Sequence, residues 1–132
     1  MSRGYGHTTT LEGVGFAEAL DRVKVALKGE GFGVLTDIDV QATMREKLGV
    51  EYRPYCILGA CNPPLAHRAL SADPMVGLLL PCNVIVFEAE GGAITVSAIN
   101  PMALMRMTDS AELRQVAQEA DAKLQRVIAA LF

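Results

Sequence analysis

Two periods of apolar spacing alternate along the chain, and the switches between them mark out its elements. Phe16, Leu20, Val23 and Leu27 recur at spacings of four, three and four, which puts them on one face of a helix while Glu18, Asp21, Arg22 and Lys28 turn to water. Gly29 and Gly31 stop that helix. Ahead of it, residues 3–10 alternate weakly and end in three threonines, a composition that suits a first strand before the Gly13-Val14-Gly15 break. Residues 32–38 favour a second strand, after which Asp39 can cap a short helix carrying Val40, Met44 and Leu48, closed by Gly49.

The second half repeats the alternation. Residues 53–61 read as a third strand, with Tyr55, Ile57, Gly59 and Cys61 on one face and Cys56, Leu58 and Ala60 on the other. Pro63-Pro64 ends it and suits the first turn of a helix through about Leu70, where a missing N–H costs nothing. Residues 79–88 and 93–99 predict two strands joined by Glu-Gly-Gly, an antiparallel hairpin. A Met-rich loop follows Asn100-Pro101, with an apolar lid or a subunit contact as its most that can be expected. Asp109-Ser110 then opens a last helix, residues 110–132, with Leu113, Val116, Ala120, Leu124, Val127 and Leu131 on one side.

Strand, helix, strand, helix, strand, helix, hairpin, helix can serve a doubly wound parallel sheet or a mixed one. The antiparallel hairpin and the shortness of the two middle helices favour α+β, and 132 residues without a repeat, linker or low-complexity tract predict a single domain. Composition adds to this: 51% hydrophobic against 20% charged residues leaves a surface greasy enough for a contact between copies, so a homo-oligomer is expected.

Charge then removes partners. A net charge of −3 with scattered basic residues lacks the concentrated positive face that nucleic acid requires. The longest apolar run is interrupted by Gly77, Pro81 and Asn83, and the N-terminal residues lack the apolar core of a signal peptide, so no membrane association is expected. Three cysteines, an odd number, fit free thiols in a cytoplasmic protein better than a disulfide framework.

Candidate chemistry gathers at two echoing segments, Ala60-Cys61-Asn62-Pro63-Pro64 and Pro81-Cys82-Asn83. If the strands that carry them are antiparallel neighbours, Cys61 and Cys82 meet at one sheet edge; if parallel, they lie about 20 Å apart, at ~3.3 Å per residue. Such a meeting could serve thiol redox or sulfur transfer, which needs a sulfur of lowered pKa. It could hold a soft metal with His67, although no C-x-x-C pair is present and the metal signal is weak. Or the Asn62 and Asn83 amides, with unpaired N–H groups at the helix start, could bind a small ligand, polar or anionic.

A plainer reading stands beside all three: buried cysteine behaves as a small apolar residue, and Asn and Pro commonly end strands. It is the stronger one for Cys61 and Cys82, as it is for Cys56, on the opposite face from Cys61, and for His67 and His7. Gly13-Val14-Gly15 before a helix has Glu18 where a phosphate loop would need its third glycine, so it reads as a turn. Asp37 and Asp39 share a strand face and could act as an acid–base or cation pair, though capping explains Asp39 by itself.

Taken together, Tyr55-Cys56-Ile57-Leu58-Gly59-Ala60-Cys61-Asn62-Pro63 and Leu80-Pro81-Cys82-Asn83-Val84 resemble the signature segments of domain of unknown function family 302, small bacterial and archaeal proteins. The likeness runs from near Tyr5 through Gly31-Phe32-Gly33 and Asp37-Ile38-Asp39 to the final helix. It implies an α+β domain with a curved, mainly antiparallel sheet, helices packed on it in a TATA-binding-protein-like arrangement, and a dimer. It carries over neither a reaction, a cofactor nor a catalytic residue. Antiparallel pairing, if present, strengthens a shared Cys61–Cys82 neighbourhood.

Overall fold

In the computed structural model, which describes residues 4–131, five strands form one antiparallel sheet. In chain order these are β1 (Gly6–Leu11), β2 (Gly33–Asp39), β3 (Tyr55–Cys61), β4 (Cys82–Glu88) and β5 (Ile94–Ile99). Across the sheet they stand β1-β5-β4-β3-β2, every neighbouring pair antiparallel. The α+β expectation is met, and the doubly wound alternative is not. Residue 3, in the predicted first strand, and residue 132, in the predicted last helix, lie outside the described residues.

The helices are α1 (Phe16–Gly29), α2 (Val40–Leu48), α3 (Pro63–Ala72), α4 (Pro101–Leu104) and α5 (Ala111–Ala129). Side chains start four of them as polar caps should: Asp39 accepts from the Ala42 N–H at 2.9 Å, Asn62 from Leu65 at 3.4 Å, Asn100 from Met102 at 3.0 Å and Ser110 from Leu113 at 3.2 Å. The hairpin between β4 and β5 turns on Gly91 and Gly92, both at φ near +90°, a conformation any side chain would strain.

One sheet face and two helices make the main core. Leu58, Val84, Val86, Val96 and Ala98 of the strands pack with Val23 and Leu27 of α1 and with Leu124 and Val127 of α5. The opposite face carries Thr10, Ile57, Ile85, Phe87, Thr95 and Ser97, none of them buried. On that face Tyr55 and Phe87 stack at 5.2 Å between ring centroids, with the Arg53 guanidinium 5.9 Å from the Phe87 ring. A second, smaller core lies beyond the sheet, where Leu65 and Ala69 of α3 meet Val76, Met105 and the first half of α5. Helix α5 is therefore shared: its first half serves the small core and its second half the large one.

Two stretches depart from the sequence expectation. The strand predicted from residue 79 begins only at Cys82, because Pro74–Leu79 is wound into a 3-10 helix whose start is capped by Asp73, accepting from the Met75 N–H at 2.9 Å. The Met-rich segment is not a free loop but α4 followed by a 3-10 turn, Met105–Met107. Asn100 caps it and Met105 is buried against α5, so this apolar side chain is already used inside the molecule.

Candidate functional site

Strand register decides the first question about the echoing segments. Ala60 stands directly opposite Cys82 in the β3–β4 ladder, which brings Cys61 and Cys82 to the same end of the sheet. Beyond β3 the chain turns at once into α3. Its N-cap, Asn62, is the one buried polar residue among those described. Both ends of its amide are engaged: Oδ1 accepts from the Leu65 N–H, and Nδ2 donates to the Glu30 carbonyl at 3.3 Å.

That arrangement consumes the donors on which an anion site would depend. Pro63 and Pro64 have no N–H, Leu65 is capped, and the Ala66 N–H donates to the Asn62 carbonyl at 2.9 Å. The helix start thus offers no open backbone N–H, unlike the unpaired N–H groups expected there. Asn83 is exposed, opposite Gly59 in the ladder, and is not part of the site that contains the other three residues.

What the segments do enclose is an apolar cavity of about 340 Å³. Cys61, Asn62 and Cys82 line it together with Leu80 and Pro81 from the connection just before β4. Its room comes from small side chains: Ala60 on the sheet, Ala66 and Ala69 on α3, and Ala120 on α5. Leu65, Val116 and Phe32 frame it, so the cavity occupies the seam between the two cores. Arg68 binds α3 to α5 from outside, donating to Glu119 at 2.8 Å and Glu112 at 3.3 Å. Leu35 and Leu70 also line the cavity and remain 67% and 42% exposed, which opens it to solvent on their side.

The thiols differ in surroundings. Burial first, and the neighbouring Cys61 second, push the Cys82 thiol up to about 11, so it stays protonated at neutral pH. Cys56 lies elsewhere, in the main core, and its Sγ donates to Asp37 Oδ1 at 2.7 Å. Burial and then that hydrogen bond raise Cys56 to about 12. The same bond is the main reason the Asp37 carboxyl is lowered, with Lys24 at 3.2 Å adding to it. Asp37 is thereby tied to a thiol and an ammonium, while Asp39 caps α2. All three cysteines are free.

Neither histidine enters the cavity. His67 is exposed on α3, and His7 Nε2 lies 2.6 Å from Asp121 Oδ1, joining β1 to α5. Among the described residues no group of three or more His, Cys, Asp and Glu side chains is placed to hold a metal ion. Nor is any helix of the described residues long and apolar enough to cross a membrane. The cavity's alanines, with Phe32, Leu80 and Val116, were invisible as site residues in the sequence. Each has the composition of ordinary packing, and only the facing of α3 against α5 gives them a common role.

Comparison with known proteins follows the fold closely. The family model described as Domain of unknown function DUF302 matches residues 7–131. The chain belongs to this family. A crystal structure of an uncharacterized conserved DUF302 protein from Bacillus stearothermophilus superposes with a TM-score of 0.88 at 29% identity, covering 97% of this chain and 98% of the other. An uncharacterized protein of Aquifex aeolicus (strain VF5) is 29% identical over 90 residues, 68% of this chain but 56% of that one, so the match spans about half the relative's length. The Bacillus DUF302 protein shares the fold, and neither relative brings a reaction with it.

Proposed function

We propose that this protein binds a small, neutral, apolar molecule in the cavity between β3, β4, α3 and α5, and works as a binding domain. One observation carries this reading: the cavity is lined almost wholly by hydrocarbon, and the polar side chain in its wall, Asn62, already has partners for both ends of its amide. A ligand there gains by leaving water and finds no free backbone N–H at the helix start to reward a charge. A cavity of 150 Å³ holds benzene, so this one has room for about two fused rings.

Titration with 1-naphthylamine, whose fluorescence responds to an apolar environment, tests the reading. Saturable binding of one molecule per chain is expected, and Ala66→Phe should abolish it while leaving the thermal midpoint within a few degrees. No saturable binding, or binding indifferent to a filled cavity, overturns the proposal.

A thiol-exchange or sulfur-transfer role is the second reading, favoured by the shared wall of Cys61 and Cys82. Against it stands the protonated Cys82, since the thiolate is the nucleophile and the metal ligand. A soft-metal role through Cys61 and Cys82 gains nothing from the exposed His67.

We further infer a homodimer through the uncovered sheet face, where Tyr55, Ile57, Ile85 and Phe87 form an apolar strip without a buried core of its own. Light scattering after size-exclusion chromatography should give twice the chain mass for the native protein and the single mass for Phe87→Lys. A native monomer at tens of micromolar removes this inference and leaves the cavity reading untouched.

A further inference from the structure

The apolar cavity does not end at its inner wall. Behind it lies a smaller void of about 50 Å³ in the second core, bounded by Leu104, Met105 and Leu113. Five residues line both spaces: Ala69, Leu80, Cys82, Val116 and Ala120. Two of these are alanines on the facing helices, so the partition between the spaces is thin. The Leu80 side chain belongs to the connection between the 3-10 helix and β4, outside any regular element. From the solvent-open side at Leu35 and Leu70, past Cys82, to Met105, the empty space is therefore elongated rather than round.

Resting on the apolar-ligand reading above, we propose that the ligand is an unbranched alkyl or acyl chain, entering tail first, with its terminal carbons passing between Ala69, Leu80, Cys82 and Ala120 into the inner void. Chain length is the quantity the site measures. At the volume per carbon implied by benzene in 150 Å³, the inner void takes about two carbons and the outer space about fourteen. A fused-ring compound fills the outer space and cannot pass the partition. The head group remains at the open side, where it keeps its water, so the site discriminates on the tail and not on the head.

A series of neutral primary alkanols from butanol to octadecanol, competed against bound 1-naphthylamine, tests this. Affinity should rise about fourfold per methylene, the value of burying one CH₂, and level off at about fourteen to sixteen carbons as the tail reaches the end of the inner void. Val76→Ile adds a methyl group to the wall of the inner void alone, because Val76 borders that void and not the outer cavity. It should shorten the levelling length by one or two carbons and leave 1-naphthylamine affinity unchanged. Ala120→Leu, at the partition, should shorten it further; should that variant fail to fold, Val76→Ile decides alone. If 1-naphthylamine binds but alkanol affinity shows no length limit, or the limit does not move in Val76→Ile, the chain inference is overturned and the cavity reading stands. If neither probe binds, both fall.

Discussion

Asn62 and Asn83 each follow a cysteine at the same end of one sheet, yet they occupy opposite kinds of place. Asn62 closes a strand that runs straight into a helix, so its side chain is held over the helix start and reaches back to the Glu30 carbonyl. Asn83 lies one residue inside a strand, where alternation turns it to the uncovered face and into solvent. The cysteines before them behave in the reverse way: both end in the wall of one cavity. A shared motif thus dictates neither burial nor role. What differs is the element that comes next, α3 after one pair and the rest of β4 after the other.

The largest effect on this contrast is expected at Gly59, opposite Asn83. A Cβ there would run into the Thr36 hydroxyl and come within 2.9 Å of the Pro81 ring, so the absence of a side chain lets Pro81 close over the sheet beside the cavity. Gly59→Ala should cost about 1–3 kcal/mol through overpacking, measured by urea denaturation, and should weaken 1-naphthylamine binding as Pro81 shifts. A neutral outcome would show that Thr36 and Pro81 yield freely and that this edge does not shape the site.

Asn62→Ala comes next. It removes an N-cap and leaves the Glu30 carbonyl without its partner, a loss of about 1–2 kcal/mol. Asn83→Ala, exposed and uncoupled, should remain within about 0.5 kcal/mol. Equal losses at the two positions would erase the distinction drawn between the segments.

Alkaline pH sharpens the comparison at the thiols. Cys82 is raised from an ordinary value of 9.0 to about 11, so its neutral form is the one the fold favours. The unfolded chain releases that proton above pH 9 while the folded chain holds it until about pH 11. The corresponding stability is complete below pH 9 and is lost as pH rises through that window. Thermal midpoints should therefore fall between pH 9 and 11, less steeply in Cys82→Ser. The smallest effect is kinetic: iodoacetamide at pH 7.5 should label Cys82 and Cys56 far more slowly than a free thiol, and prompt labelling of Cys82 would restore the thiol-transfer reading.

Much of the fold was legible because local chemistry and packing agree. The helical face of Phe16, Leu20, Val23 and Leu27, the caps at Asp39 and Ser110, and the Gly-Gly hairpin each answer a requirement met within a few residues. Misreadings fell where such requirements conflict. Leu79 and Leu80 are as apolar as a strand could ask, but the Asp73-Pro74 cap commits the preceding turn to 3-10 geometry, and the strand waits for Cys82. Met105 belongs to a stretch without a single helical spacing, and its burial comes from α5, a partner that no nearby residue announces.

The candidate site was legible only in part, for a related reason. Cysteine and asparagine catch the eye as chemistry, and antiparallel pairing did unite Cys61, Asn62 and Cys82; but the donors expected beside them are spent on Asn62 and missing from Pro63 and Pro64. From the amino-acid sequence alone follow the α+β class, the helix and strand faces, and the meeting of the two cysteines once the strands run antiparallel. The cavity belongs to tertiary structure, since empty volume is whatever remains between surfaces brought together from far apart in the chain. No periodicity records that Ala66 and Ala69 would come to face Ala120, or that two cores would meet there without quite closing.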